Sequence, residues 1–192
     1  TKMKASIEQT ELLKSMAKVQ SIVESRTTIP IRSNVLLEAK ESFLYLRTTD
    51  LDIEVLDKVS ADVETPGSLT VGANTLYEIV RKLPDGSQVE FLNESGSNQL
   101  EIVASRSKFS LSTLPKEDFP IIEQENTAIN IKINSKILFK LIDKTKFAIS
   151  NEETRYFLNG LYFNVDNENN KNTVTFVGTD GHRLAKFSHD IQ

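Results

Sequence analysis

The sequence predicts an α+β fold in which helices cover one face of antiparallel sheets. Three amphipathic segments have helical periodicity, and short alternating segments typical of strands surround them. The same order of elements also returns at a nearly constant interval along the chain. With 192 residues, 39% of them hydrophobic, the chain is long enough to bury more than one core.

Each predicted helix follows a short strand and begins beside a small polar residue that can cap its free amides. The strands are predicted at 4–8, 68–71 and 129–133, the caps at Thr10, Asn74 and Ser135, and the helices at about 11–24, 75–83 and 136–149. The caps lie 64 and 61 residues apart, so the chain is predicted to repeat a β-α-β-β-β unit.

Three further strands are predicted after each helix. They fall at 34–39, 43–48 and 53–55, then at 88–91, 99–103 and 108–111, and finally at 160–165, 173–177 and 184–187. The polar stretch 164–172 is predicted to be a hairpin loop, and 114–120, with its prolines and charges, a solvated linker.

One helix on a small sheet cannot enclose a core, whereas two units can pack their helices side by side under a joined sheet. We therefore expect a closed first domain over 1–120, and over 121–192 the first half of a second, truncated domain. Because the third unit lacks a partner, we also expect an unpaired sheet edge near the C-terminus.

Composition excludes several kinds of site. The chain has no Cys, which excludes disulfides and thiolate metal sites, and its only histidines are His182 and His189. No apolar run approaches the roughly 20 residues that span a bilayer, and no signal-peptide pattern is present. We expect a soluble intracellular protein with no metal and no cofactor.

Charge is distributed unevenly between the helices and the rest of the chain. The net charge of −4 argues against a general nucleic-acid coat, yet the predicted helices carry eight basic and four acidic residues. We expect the helices to share one concave surface that faces an anion, with projecting side chains that include Lys14, Arg81, Lys140 and Lys144.

Two motifs in the third unit combine charge, flexibility and apolar residues. Residues 178–185 read Gly-Thr-Asp-Gly-His-Arg-Leu-Ala, and residues 155–160, about twenty positions upstream, read Arg-Tyr-Phe-Leu-Asn-Gly. By themselves they leave alternatives open: a two-residue hairpin turn at Asp180-Gly181, a strand-edge pair at Arg155 and Tyr156, or a hydrolase built on Asp180 and His182. No Gly-x-Ser-x-Gly elbow surrounds a serine, which favours a protein without catalytic residues.

Together the two motifs resemble the bacterial DNA polymerase III beta subunit family, the sliding clamps. The resemblance covers nearly the whole chain, and further matching motifs follow in order at 28–37, 49–52, 80–84 and 109–120. In 49–52 the carboxylate pair Asp50 and Asp52 is otherwise typical of a solvated strand end rather than a metal site. The resemblance implies the DNA-clamp fold and a ring of two subunits, each with three similar domains.

The implied function is that of a bacterial, cytoplasmic processivity factor. The ring encircles double-stranded DNA and tethers the replicative DNA polymerase, without membrane contact and without catalysis. Contacts to phosphate that read no bases suit a protein that slides. An interaction module with no DNA role is the alternative.

The resemblance also implies two binding sites. The DNA-binding residues are Arg26, Arg81, Asn151, Glu152, Tyr156 and Phe157. Here Phe157 replaces a more usual tyrosine, and Glu152 brings a negative charge near phosphate. A groove for short peptide motifs of the polymerase and the clamp-loader subunits, completed by a third domain, uses Arg155, Leu158, Thr179, Gly181, His182, Arg183 and Leu184.

Overall fold

The structure is a computed structural model that describes residues 2–23, 30–121, 131–168 and 171–191. The chain divides into two compact units, Thr1–Gln124 and Glu125–Gln192. In both units the strands pair antiparallel, and helices accompany the sheets. The predicted α+β class is confirmed.

The first unit contains two helices and nine strands within its described residues. In chain order they are β1 (Met3–Glu8), α1 (Gln9–Val19), β2 (Asn34–Lys40), β3 (Phe43–Thr49), β4 (Glu54–Ser60), β5 (Asp62–Thr65), β6 (Gly67–Gly72), α2 (Ala73–Lys82), β7 (Gln88–Asn93), β8 (Gln99–Ala104) and β9 (Ser107–Ser112). The sequence did not predict β5, because its four residues include two acidic side chains that disfavour strands.

The two repeats of the first unit exchange their opening strands. One sheet has the order β4-β3-β2-β6 and the other β5-β1-β7-β8-β9. Thus β1, from the first repeat, pairs with β7 of the second, while β6 pairs with β2. The exchange joins the halves through backbone hydrogen bonds, so neither repeat forms its sheet alone.

The core of the first unit lies between the helices and the inner faces of both sheets. Strand β1 alternates between buried and half-buried residues, as its sequence pattern predicts. Helix α1 buries Leu12, Met16 and Val19, and the side-chain amide of buried Gln9 donates to the Val80 carbonyl of α2 at 2.8 Å. Each fully buried leucine contributes about 1.5–3 kcal/mol relative to an exposed one.

All three helices begin earlier than predicted, and each predicted cap lies inside its helix. Helix α1 is capped by Glu8, whose carboxylate accepts from the Glu11 amide at 2.9 Å, rather than by Thr10. Helix α2 follows Gly72 without a side-chain cap, so Asn74 lies inside it. The preceding strand leads directly into the helix in both cases, which leaves no room for a separate capping segment.

The predicted linker 114–120 keeps its charged residues exposed, as expected, but it contacts the first unit through Leu114 and Phe119. Leu114 exchanges two backbone hydrogen bonds of 3.0 Å with Thr70 and so extends the sheet beside β6. A 3-10 turn follows at Lys116–Asp118, and Phe119 is only 4% exposed. Phe119 is buried although the residues just before it in the sequence are charged, because burial of the ring removes a large apolar surface from water.

The second unit contains one helix and a three-stranded sheet within its described residues. Its elements are α3 (Ser135–Asp143), 3-10 turns at Lys146–Ala148 and Glu153–Leu158, β10 (Tyr162–Glu168), β11 (Lys171–Thr179) and β12 (Leu184–Ile191). The strand order is β10-β11-β12, and the buried core consists of Leu141, Val174 and Phe176.

Three predictions for this unit need correction. Helix α3 ends at Asp143, not 149, and the buried Thr145 hydroxyl bonds the Leu141 carbonyl at 2.6 Å just beyond its end. Its cap is Asn134, not Ser135, because the Asn134 side-chain oxygen accepts from the Lys136 amide at 2.9 Å. The predicted loop 164–172 is mostly paired strand, since β10 and β11 stay in register to Glu168 and Lys171.

No strand forms in the described part of the segment 129–133, which was predicted to be a strand. Residues 131–134 form no strand, and 129 and 130 lie outside the described residues. Its counterpart β1 is paired by β5 and β7, and no described strand of the second unit occupies either place.

An unpaired sheet edge lies near the C-terminus, as expected. Strand β12 is an edge strand, but so is its counterpart β4 in the first unit. Strand β10 corresponds to β2 of the first unit. Strand β2 has β6 beside it, whereas β10 has no described strand at the equivalent position. Among the described residues, the sheet of the second unit therefore has two open edges, one next to β10 and one next to the C-terminal strand β12.

Candidate partner-binding groove and DNA-facing residues

Asp180 organises the turn between β11 and β12. Its Oδ1 accepts from the backbone amides of His182 and Arg183, both at 2.9 Å, and its Oδ2 accepts from Arg183 Nε at 3.1 Å. The two amides lower the pKa of Asp180 below its ordinary value of 3.8. Gly181 has a φ of 89°, which favours glycine.

The turn is not the two-residue hairpin that Asp180-Gly181 allowed. Thr179 pairs with Leu184, so four residues connect the strands. The hydrolase alternative also loses its basis, because Asp180 bonds the backbone amide of His182 and not its ring.

Arg183 is held by the second unit itself. Its Nη2 donates to the Phe147 carbonyl at 2.6 Å, and its guanidinium carbon lies 5.7 Å from the centre of the Phe147 ring. Its own carbonyl accepts from the Thr179 hydroxyl at 2.6 Å. The sequence did not indicate a role for Phe147, which was predicted to lie inside a helix.

The segment 150–159 forms a closed loop. The Ser150 amide donates to the Leu158 carbonyl at 3.0 Å, which joins the two ends. The hydrogen-bond network orients the Asn159 amide nitrogen toward the Ser150 and Glu152 carbonyls, at 2.9 and 3.2 Å. Side-chain donors and acceptors thus replace the regular pairing that this loop lacks.

Arg155 connects this loop to the turn. Its Nε and Nη2 donate to both carboxylate oxygens of Glu152, at 2.9 and 2.7 Å. A β-carbon at Gly181 would lie 3.0 Å from Arg155 Nη1, so the guanidinium lies against the glycine. The ion pair lowers the pKa of Glu152 and raises the pKa of Arg155.

Apolar surface accompanies these charges. Leu184 is 65% exposed where β12 begins, Phe147 is also exposed, and Leu158 is half-buried. The seven predicted groove residues therefore occupy two segments that the Arg155–Gly181 approach brings together. Exposed leucine beside fixed arginines is suited to a partner that offers apolar anchors and polar backbone.

The predicted DNA-facing residues lie in different parts of the chain. Arg26 lies outside the described residues. Arg81 is exposed on α2 and donates to Glu78 at 2.6 Å. In the second unit Asn151 is exposed, and Tyr156 and Phe157, 78% and 69% exposed, form an edge-to-face pair at 5.9 Å. Adjacent exposed aromatics are typical of a contact surface.

Each helix carries two basic residues and one acidic residue. Glu11 pairs with Lys14, and Glu78 with Arg81, three positions apart; Asp143 pairs with Lys146 just beyond α3. Lys144 and Lys146 follow the helix rather than belonging to it, and Lys140 Nζ lies 5.5 Å from the centre of the Phe187 ring. The helices remain positive on balance, but carboxylates partner several of their cations.

Comparison with known proteins identifies the family. Residues 3–123 match the N-terminal domain of the DNA polymerase III beta subunit, and residues 132–192 match its central domain. The chain belongs to the DNA polymerase III beta subunit family. The predicted resemblance is therefore confirmed.

Curated relatives in this family are beta sliding clamps. The chain is 49% identical over 183 residues to the clamp of Caulobacter vibrioides, covering 95% of this chain and 49% of the relative. It is 40% identical over 188 residues to that of Pseudomonas aeruginosa, covering 97% and 50%. The chain thus spans about half the length of these relatives.

Solved structures of clamps share the fold. The Caulobacter crescentus beta sliding clamp superposes with a TM-score of 0.92 at 48% identity, covering 99% of this chain and 50% of that one. A Pseudomonas aeruginosa sliding clamp bound to griselimycin superposes with a TM-score of 0.89 at 38% identity, covering 100% and 51%.

The described residues offer neither a cluster of metal ligands nor a membrane-spanning helix. No group of three or more His, Cys, Asp or Glu side chains there could hold a metal ion. Asp50, one of the carboxylates in the 49–52 motif, accepts from the amides of Asp52 and Ile53 in a turn. In the same part of the chain, no helix is both long and apolar enough to cross a membrane.

Proposed function

We propose that this chain is part of a DNA sliding clamp, a processivity factor that encircles duplex DNA and tethers the replicative polymerase. Residues 1–120 would form its first domain and 121–192 the first half of its second. It would act without catalysis, as a homodimeric ring in the bacterial cytoplasm. Family membership over both matched domains supports this role.

The observation that carries the partner-binding role is the approach of Arg155 to Gly181. It brings the 150–159 loop beside the 179–184 segment, with Leu184 exposed next to them. A peptide with leucine or phenylalanine anchors could bury those side chains on the apolar residues. The exposed donors of the turn and the loop could bind its backbone. The replicative polymerase and the clamp loader are the proposed sources of such peptides.

A peptide titration tests this groove. We expect a labelled peptide with leucine and phenylalanine anchors to bind, and Leu184→Ala to weaken it about 5- to 30-fold, the range of a hot-spot residue. Lys186→Ala, an exposed change on the same strand, is the matched control and should alter affinity less than about twofold. Equal affinity of the Leu184→Ala variant would place the site elsewhere.

A second measurement separates the clamp from an interaction module that ignores DNA. A clamp should bind duplexes of unrelated sequence with equal affinity, and the binding should weaken as salt rises. Groove binding without any duplex binding at low salt would favour the interaction module.

A further inference from the structure

The Arg155 guanidinium is held within the second unit. Nε and Nη2 bind Glu152 in a bidentate ion pair, and Nη1 lies against Gly181. The Arg155 side chain is 34% exposed and that of Glu152 is 57% exposed. Water therefore reaches the pair, and a ligand can approach the same edge of the guanidinium.

The charges around Arg155 leave Glu152 as its direct anionic partner. Asp180, the other nearby carboxylate, already accepts from two amides and from Arg183. It influences Arg155 through space, while Glu152 binds it through both oxygens. Arg183, which pairs with Asp180, is the other nearby cation. An incoming carboxylate would thus compete directly with Glu152 for the Arg155 guanidinium.

We propose that Glu152 is an internal competitor for Arg155 and sets how strongly the groove distinguishes acidic from neutral peptides. Its carboxylate occupies the guanidinium edge that an acidic side chain or a chain-terminal carboxylate of a partner would use. This inference rests on the proposed peptide-binding role of the groove.

The bidentate geometry of the Arg155–Glu152 pair explains why Glu152 would compete with an acidic partner. One edge of a guanidinium binds one carboxylate in bidentate geometry at a time. The carboxylate of Glu152 and that of a partner peptide therefore exclude each other. Because the pair is exposed and screened by solvent, displacement of Glu152 is feasible. A glutamine at this position keeps the length of the side chain. However, it offers Arg155 only one acceptor oxygen and no charge, so it competes less well.

The test uses the protein as its gene encodes it, with two labelled peptides. Both carry the same leucine and phenylalanine anchors, and one has an aspartate where the other has an asparagine. The variant is Glu152→Gln, and the matched control is Glu153→Gln, the adjacent exposed glutamate with the same change of charge. Circular dichroism melting confirms that each variant is folded.

We expect Glu152→Gln to bind the acidic peptide about 3- to 10-fold more tightly, because a charge-assisted pair with the peptide replaces the internal one. The neutral peptide should change less than about twofold, and Glu153→Gln should change neither peptide beyond that factor. Raising the salt concentration should reduce the difference between the acidic and neutral peptides.

Other outcomes would overturn the proposal. An equal gain for both peptides would mean that Glu152 does not discriminate between them. Weaker binding of both would mean that Glu152 only positions Arg155. If the wild-type protein binds the peptides and the Glu152→Gln and Glu153→Gln variants behave alike, the competitor role of Glu152 is refuted but the groove is not. If no variant binds either peptide, the groove itself is refuted, and this inference falls with it.

Discussion

Side-chain to backbone hydrogen bonds shape both segments of the candidate groove. Asp180 holds the amides of the turn, and Asn159 holds the carbonyls at the base of the loop. Such bonds form where regular pairing stops, and they give irregular backbone a defined conformation. The positions of the arginines therefore depend on a few short polar side chains.

The Asp180 carboxylate should make the turn sensitive to acid. Its pKa is lowered, first by the amides of His182 and Arg183. A lowered pKa in the folded state means that the contribution to stability is present above the ordinary value of 3.8 and is lost as the pH falls below it. We expect the amide signals of 181–183 in NMR spectra to move toward disordered values below that pH. Asp180→Asn is the control and should lack this transition.

Gly178 is required by close packing rather than by its backbone angles. A β-carbon there would lie 2.4 Å from the Thr145 carbonyl oxygen and 3.1 Å from Leu161 Cδ2. We expect Gly178→Ala to lower the free energy of unfolding by about 1–3 kcal/mol, as overpacking does. Gly160→Ala, with no atom within 4 Å of the added carbon, is the control for denaturant unfolding. Equal midpoints for the two variants would show that the backbone moves freely to make room.

At the scale of elements, the starts of α1 and α3 are decided by the residue that offers an acceptor in the right place. Asn134 and Ser135 are both favourable capping residues, so composition alone does not choose between them. The structure assigns the bond to Asn134, and Ser135 is the first residue of α3.

This assignment predicts different costs for two neighbouring alanine substitutions. Asn134→Ala should lower the free energy of unfolding by about 1 kcal/mol, because the Lys136 amide loses its acceptor. Ser135→Ala should change it by less than about 0.5 kcal/mol, since alanine is a better helix former than serine. Denaturant titrations of both variants provide the measurement. A larger cost for Ser135→Ala would move the cap back to the residue that the sequence favoured.

At the scale of the whole molecule, positive helices belong to an acidic chain, and carboxylates pair with several of the helix cations. Exposed ion pairs of this kind add little stability, but they reduce the charge available to a polyanion. This balance suits a protein that is proposed to slide on DNA, because strong contacts to phosphate would slow its movement.

Removing one paired carboxylate should strengthen duplex binding. Glu78→Gln would release Arg81 from its 2.6 Å ion pair. We expect tighter binding and a salt dependence that is steeper by about one unit in the slope of log K against log salt, as for one added phosphate contact. Glu94→Gln, the same charge change in the exposed turn between β7 and β8, is the control. Identical slopes for the two variants would show that Arg81 does not contact DNA.

Local patterns were sufficient to predict most elements, and they failed where a distant residue decides. The alternating burial of β1 and the apolar stripe of α1 are visible in the sequence, because each depends on the spacing of side chains along one element. Strand β5 and the buried Phe119 were missed. Strand β5 forms because it pairs with β1. The burial of Phe119 cannot be read from the residues just before it in the sequence, which are charged.

The sequence by itself determined the α+β class, the repeated order of elements and the family to which the chain belongs. These depend on local periodicity and on motifs that are read in order along the chain. Only the tertiary structure decided the exchange of β1 and β6 between sheets, the contact of Phe147 with Arg183, and the approach of the Arg155 guanidinium to Gly181. The physical reason is that each of these joins groups from separate segments. Hydrogen bonding and packing select such partners only after the chain has folded.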